Sequence, residues 1–195
     1  MTTILLTTEG PIFRLLARDT VVASCIAQDV RARGRRAIVV AGRHEYGLQL
    51  DGQLELASLP RTLDPGDADL VVLCGLASQP ETERAKSLTP LPVIAFDGVQ
   101  GSDLGHGRDV SLALPFAPSS DLAVEDLFAG VGKARQAATL ALALFNARAH
   151  DRHSFLAALR GSGEFDHNGD PKDPPVWLWR AAGDWTLTPE SPLGQ

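Results

Sequence analysis

The chain has 195 residues, 44% of them hydrophobic and 22% charged, and its 24 acidic and 18 basic residues leave a net charge of −6. These values exclude a disordered chain, a collagen-like repeat and a coiled coil. An acidic chain of this kind draws neither nucleic acid nor anionic membrane through its overall field, and no apolar stretch approaches the ~20 residues of a spanning helix. Two cysteines, Cys25 and Cys74, do not make a disulfide framework. The length predicts a single domain over residues 1–195. The opening Met-Thr-Thr-Ile-Leu-Leu-Thr-Thr lacks the basic flank of a signal peptide, so a cytoplasmic protein is expected.

In chain order, residues 4–8 read as a short strand ended by Glu9-Gly10-Pro11. Asp19 or Thr20 is placed to cap a helix over residues 20–33, where Val22, Ile26 and Val30 recur at helical spacing. Arg31, Arg33, Arg35 and Arg36 gather at its end. They read either as an anion site or as a solvated last turn favoured by the helix dipole. Ala37-Ile38-Val39-Val40-Ala41 is apolar without alternation, as are residues 69–74 and 92–96. Runs of that kind belong to parallel strands covered on both faces. Residues 79–89 between the last two predict a short helix, and the whole reads as a three-layer α/β domain. Residues 46–56 alternate on both sides of Asp51-Gly52, which predicts a β-hairpin in place of a crossover helix.

Residues 110–114 form another strand candidate, followed by helices over about 121–128 and 133–149 and a short one capped by Asp151. Residues 161–175 are turn-rich. A terminal hairpin is then expected, with residues 176–180 facing 184–187 across Ala-Ala-Gly.

Most chemical motifs fail on spacing. Gly130-Val131-Gly132-Lys133-Ala134 lacks the first glycine and the hydroxyl of a phosphate loop. The stretch from Gly101 to Gly107 does not spell a dinucleotide fingerprint. Asp166-His167-Asn168-Gly169-Asp170 starts like a calcium loop, but Pro171 stands where glycine is needed. His150 and His153 find no third zinc ligand nearby, and there is no Gly-x-Ser-x-Gly elbow. No cofactor or metal is expected.

Two strand-end residues remain. Asp97 closes one strand, either as a carboxylate for a ligand's ammonium group or as an Asx-turn with Gly98. Cys74 closes the preceding strand, either as a nucleophile or as a small buried apolar residue. Open α/β sheets bind ligands at the carboxyl ends of their strands, so both can border one crevice.

The motif order resembles the type I periplasmic solute-binding proteins, and more narrowly the branched-chain amino-acid (leucine/isoleucine/valine) binding family of ABC transporters. Phe13-Arg14-Leu15-Leu16-Ala17-Arg18-Asp19 is similar to that family's Phe-Arg-Thr-x-x-x-Asp crossover. Residues 37–41 with Glu45-Tyr46-Gly47 resemble its strand and Tyr-Gly segment, and residues 69–75 its next strand. Asp97-Gly98 resembles its acidic residue before glycine. Phe165-Asp166-x-x-Gly169-Asp170 and the tryptophan hairpin resemble its terminus. The resemblance implies a flavodoxin-like lobe, the second of two, together with the C-terminal helices and hairpin but without the first lobe. It also implies a non-enzymatic module for an amino acid or similar small ligand, held near Asp97 with Tyr46, Leu73 and Cys74 around it. Leu73 or Cys74 stands where the family often has an aromatic wall. The resemblance implies that the helices over 133–159 would pack on the first lobe; without it their apolar Leu140, Leu142, Leu144, Phe145, Phe155 and Leu156 are expected to cover both the chain's own sheet and a second copy, which predicts a homodimer. The alternatives are an interaction scaffold with a vestigial site and a Cys74-dependent enzyme.

Overall fold

A computed structural model describes residues 3–4, 13–14, 18–77, 80–88, 90–99, 102–105, 109–118, 138–139, 141–143 and 151–194. The chain resolves into two compact units, residues 1–18 with 118–174 and residues 19–117 with 175–195.

The larger unit is built on a six-stranded sheet in the order β3-β4-β5-β6-β7-β8. Its strands are β3 (Ala37–Ala41), β4 (Leu70–Cys74), β5 (Val93–Ala95), β6 (Val110–Leu114), β7 (Val176–Ala181) and β8 (Leu187–Leu193). β3 to β6 pair in parallel, and β7 and β8 add antiparallel to β6. The sheet is therefore mixed: the apolar runs supply its parallel strands, and the expected terminal hairpin supplies the antiparallel pair at one flank. All five residues of β4 and of β6 are buried. Successive strand side chains point to opposite faces, so both faces of the sheet must be covered. Helices α1 (Asp19–Ala32) and α2 (Glu45–Leu56) pack on each other, with α2 also against β3 and β4. Helix α3 (Pro80–Ser87) packs against β3, β4 and the turn at Asp103–Gly105. That is the three-layer arrangement the apolar runs imply.

The hairpin expected over 46–56 is a helix. Only Leu50 and Leu54, four apart, are buried among its leucines, while Leu48 and Leu56 are exposed. Helical spacing thus decides which leucines meet the core, and the alternation around Asp51-Gly52 carries no pairing. Gly52 has open space beside it and is tolerated on the outer face. After α2 the chain makes a one-residue parallel bridge, Arg61 with Ala37, beside β3, and then crosses to β4 on its other side. Progress of the chain therefore reverses around β3, which makes the carboxyl ends of β3 and β4 a topological switch point.

The terminal hairpin is present with a longer return strand than expected. Ala181 pairs with Leu187 and Val176 with Leu193, so residues 184–186 belong to the turn. Register shifts between Leu178 and Trp179, where Ser191 and Pro189 are their partners and Glu190 is the extra residue. Trp179 is fully buried, donates Nε1–H to the Phe116 carbonyl at 3.3 Å and packs on the Phe116 ring.

The smaller unit holds the short pair β1 (Thr3–Ile4) and β2 (Phe13–Arg14) and helix α4 (Arg152–Gly161). Asp151 caps α4 with a full capping box to Ser154, as the sequence predicts. In the Phe165–Pro171 turn the Asp166 carboxylate accepts from the Asn168 and Asp170 backbone N–H groups, and Arg18 holds Asp170 at 2.8 Å. The acidic motif is thus a turn whose carboxylates are occupied by its own chain. The helix expected over 121–128 lies outside the described residues, as do 130–134, 144–150 and much of the helix expected over 133–149. Of that helix, residues 138–139 and 141–143 are helical and exposed.

Candidate ligand site at the strand ends

The carboxyl ends of β3, β4 and β5 meet in three short loops, and glycine lets them approach. A Cβ on Gly47 would stand 2.6 Å from the Gly42 carbonyl and 2.9 Å from that of Cys74. A Cβ on Gly98 would stand 2.8 Å from the Gly75 carbonyl. Backbone bonds tie the loops together: Gly42 donates to Cys74 at 2.8 Å and Ala77 to Gly98 at 2.8 Å. The start of α2 and the 3-10 turn at Asp97–Val99 are thereby pressed against each other.

Tyr46 sits in the first turn of α2 and donates its hydroxyl to Asp97 Oδ1 at 3.3 Å. Asp97 is exposed, Tyr46 half-buried. Burial, and then the negative charges of Asp97 and Asp19, push the Tyr46 hydroxyl far up, so it stays protonated and donates at any physiological pH. Asp19, the first residue of α1, is raised as well, by burial first and by the Asp97 charge second. Two carboxylates and a phenol hydroxyl thus share one electronegative corner at the strand ends.

Beneath that corner His44 caps α2. Its Nδ1 accepts from the Gly47 N–H at 3.1 Å, so the neutral ring carries its proton on Nε2 and donates it to Glu81 Oε1 at 2.9 Å. Glu81, on α3, is buried. The His44 and Tyr46 rings are stacked, with centroids 6.4 Å apart and planes 12° apart.

Of the four residues singled out in the sequence, the structure brings Tyr46 and Asp97 into contact. Leu73 and Cys74 are wholly buried in β4 and present no side-chain surface to solvent. Burial pushes the Cys74 thiol up to about 12. Asp19, His44 and Glu81 were not singled out. Asp19 ends the Phe-Arg crossover segment, which was the available signal, but it reads there as a helix cap. His44 lies outside the usual N-cap set, and only the fold joins it to Glu81, 37 residues away.

No protein-family model matches the chain, and no curated protein matches it. Solved structures do. An ABC transporter substrate-binding protein from Desulfitobacterium hafniense superposes with a TM-score of 0.65 at 18% identity, covering 91% of this chain and 67% of that one. A branched-chain amino-acid ABC transporter periplasmic ligand-binding protein from Burkholderia xenovorans gives 0.64 at 17% identity, covering 93% and 65%. A leucine-binding protein from Thermotoga maritima gives 0.62 at 16% identity, covering 93% and 67%. The fold is that of the type I periplasmic solute-binding proteins, and the chain spans about two thirds of the length of these structures.

Proposed function

We propose that the chain is a non-enzymatic binding module for a small solute with an ammonium group, an amino acid in the first instance. The observation that carries this reading is the corner at the strand ends, where the Tyr46 hydroxyl donates to Asp97 and where burial, and then the Asp97 charge, holds the Asp19 carboxyl above its usual range. An ammonium group placed there relieves the repulsion and donates charge-assisted hydrogen bonds to both carboxylates. The matched solved structures support the reading, since one was determined in complex with Leu and another with bound valine. Leu73 and Cys74 belong to the buried core of β4, from whose end the loop of the site emerges.

Calorimetric titration of the full chain with a panel of amino acids tests this directly. Heat is expected from at least one of them and lost in Asp97→Ala. No heat from any, with wild type and Asp97→Ala melting alike in their presence, overturns it.

The enzyme alternative asks Cys74 to be a thiolate, and burial acts against that. Iodoacetamide should leave Cys74 unmodified at pH 8 until the protein is unfolded. The scaffold alternative shares with the binding reading a proposed homodimer through residues 133–159. Leu142, 60% exposed, supports that surface. A monomer in light scattering at micromolar concentration would remove it.

A further inference from the structure

We propose that His44 is a proton-operated switch that positions Tyr46 against Asp97, so that protonating one imidazole loosens the candidate ligand site. The inference rests on the ligand reading above for its consequence, but not for its mechanism.

The geometry leaves the neutral ring no spare nitrogen. Nδ1 must be bare to accept the Gly47 N–H, and Nε2 must carry hydrogen to serve buried Glu81. Protonation places hydrogen on Nδ1 as well. Two donors then face each other at the start of α2 and the cap is lost, while the bond to Glu81 becomes an ion pair. The ring is thereby pulled toward α3 and released from α2. Tyr46 is the second residue of α2, it stacks on the same ring, and its hydroxyl reaches Asp97, so it is the side chain through which the change is read.

The surroundings give the ring little room to change without its neighbours. A Cβ on Gly42 would lie 2.3 Å from both His44 Nε2 and Glu81 Oε1, and one on Gly75 would lie 2.5 Å from Glu81 Cγ. The groups facing the imidazole are Glu81 from α3, the Gly47 N–H and the Tyr46 ring from α2, and Gly42 from the loop after β3. Arg43 and Glu45 flank it in sequence and are exposed, and Asp97 and Asp19 act through Tyr46.

Tyr46 is the one tyrosine of the chain, which makes it an unambiguous reporter. The full chain is labelled with [13Cζ]tyrosine and its single resonance followed by NMR from pH 8 to pH 5. Phenol ionisation does not interfere, since the hydroxyl is pushed upward. One step is expected in the wild type and none in His44→Asn, which can still cap α2 but cannot ionise. His44→Gln serves as the second non-ionising variant should the first not fold. A flat wild-type profile, or a step that survives both substitutions and therefore belongs to another group, overturns the switch. L-leucine titrated at pH 5 and pH 7.5 is expected to bind about fivefold more weakly at the lower pH, the effect of losing one N-cap, and equally at both in His44→Asn. Equal affinity in the wild type also overturns the proposal. A tyrosine step without leucine binding at either pH leaves the switch standing and counts against leucine as the ligand.

Discussion

At the carboxyl ends of β3 to β5 two carboxylates, Asp19 and Asp97, are set within electrostatic reach of each other. At the opposite ends of the same sheet the signs alternate. There a cleft of about 230 Å³ is lined by the starts of β4 to β6, the end of α1 and the last two strands. Arg180 pairs with both Asp109 and Glu190, Ser111 donates to Glu190 at 2.7 Å, and Arg33 pairs with Asp29. Burial works upward on Glu190, but the Ser111 hydroxyl and Arg180 outweigh it and hold its carboxyl low. One end is electrostatically satisfied by the chain itself; at the other, no basic side chain among the described residues pairs with Asp19 or Asp97. That contrast between two ends of one sheet marks where a ligand has something to supply.

The largest effect should come from closing the space that lets the carboxylate corner form. Gly47→Ala puts a methyl group against three backbone atoms within 2.9 Å. Elsewhere in a helix this change stabilises by ~0.5–1 kcal/mol, but here it should destabilise by ~2–3 kcal/mol in urea unfolding. Next, Asp97→Ala should weaken any ammonium ligand by about 10- to 100-fold in calorimetry, the loss of one charge-assisted bond.

The satisfied end should yield less. Arg180→Met is expected to cost ~0.5–1 kcal/mol, shrinking in 1 M salt, because its pairs are partly exposed. The smallest effect has the opposite sign. Asp19 has a raised folded-state pKa, so it contributes stability below its unfolded value that is lost as pH rises through the folded one. Asp97→Asn removes part of that loss and should raise the melting temperature at pH 7 by about 1–2 °C, discounted for screening at this half-open site, while weakening the ligand. No rise at pH 7, or the same rise at pH 3, would dissolve the contrast.

Elements whose signal is burial were legible in advance. β3 and β6 were read at their observed bounds, because a strand covered on both faces has no polar alternation to confuse it. α2 was misread because Leu48 and Leu56 are exposed leucines that complete a false alternation with the buried Leu50 and Leu54. Its glycines also argued against a helix, and the need for one of them, Gly47, comes from a neighbouring loop invisible in local sequence. β8 was begun too early and cut short because Pro189 and Pro192 suggest an end, whereas an edge strand tolerates them. In the candidate site, Asp97 and Tyr46 were reachable through resemblance. Asp19, His44 and Glu81 matter through contacts across α1, α2 and α3, which no spacing rule links.

Those two prolines have a wider effect. Pro189 and Pro192 lie opposite Trp179 and Trp177 on the outermost strand, next to the irregular step at Glu190. Neither has an amide hydrogen to offer an incoming chain, and the irregularity twists the rim out of line. That border of the sheet is a poor template for fibril-like stacking, a protection written into the backbone and independent of whether any solute is bound.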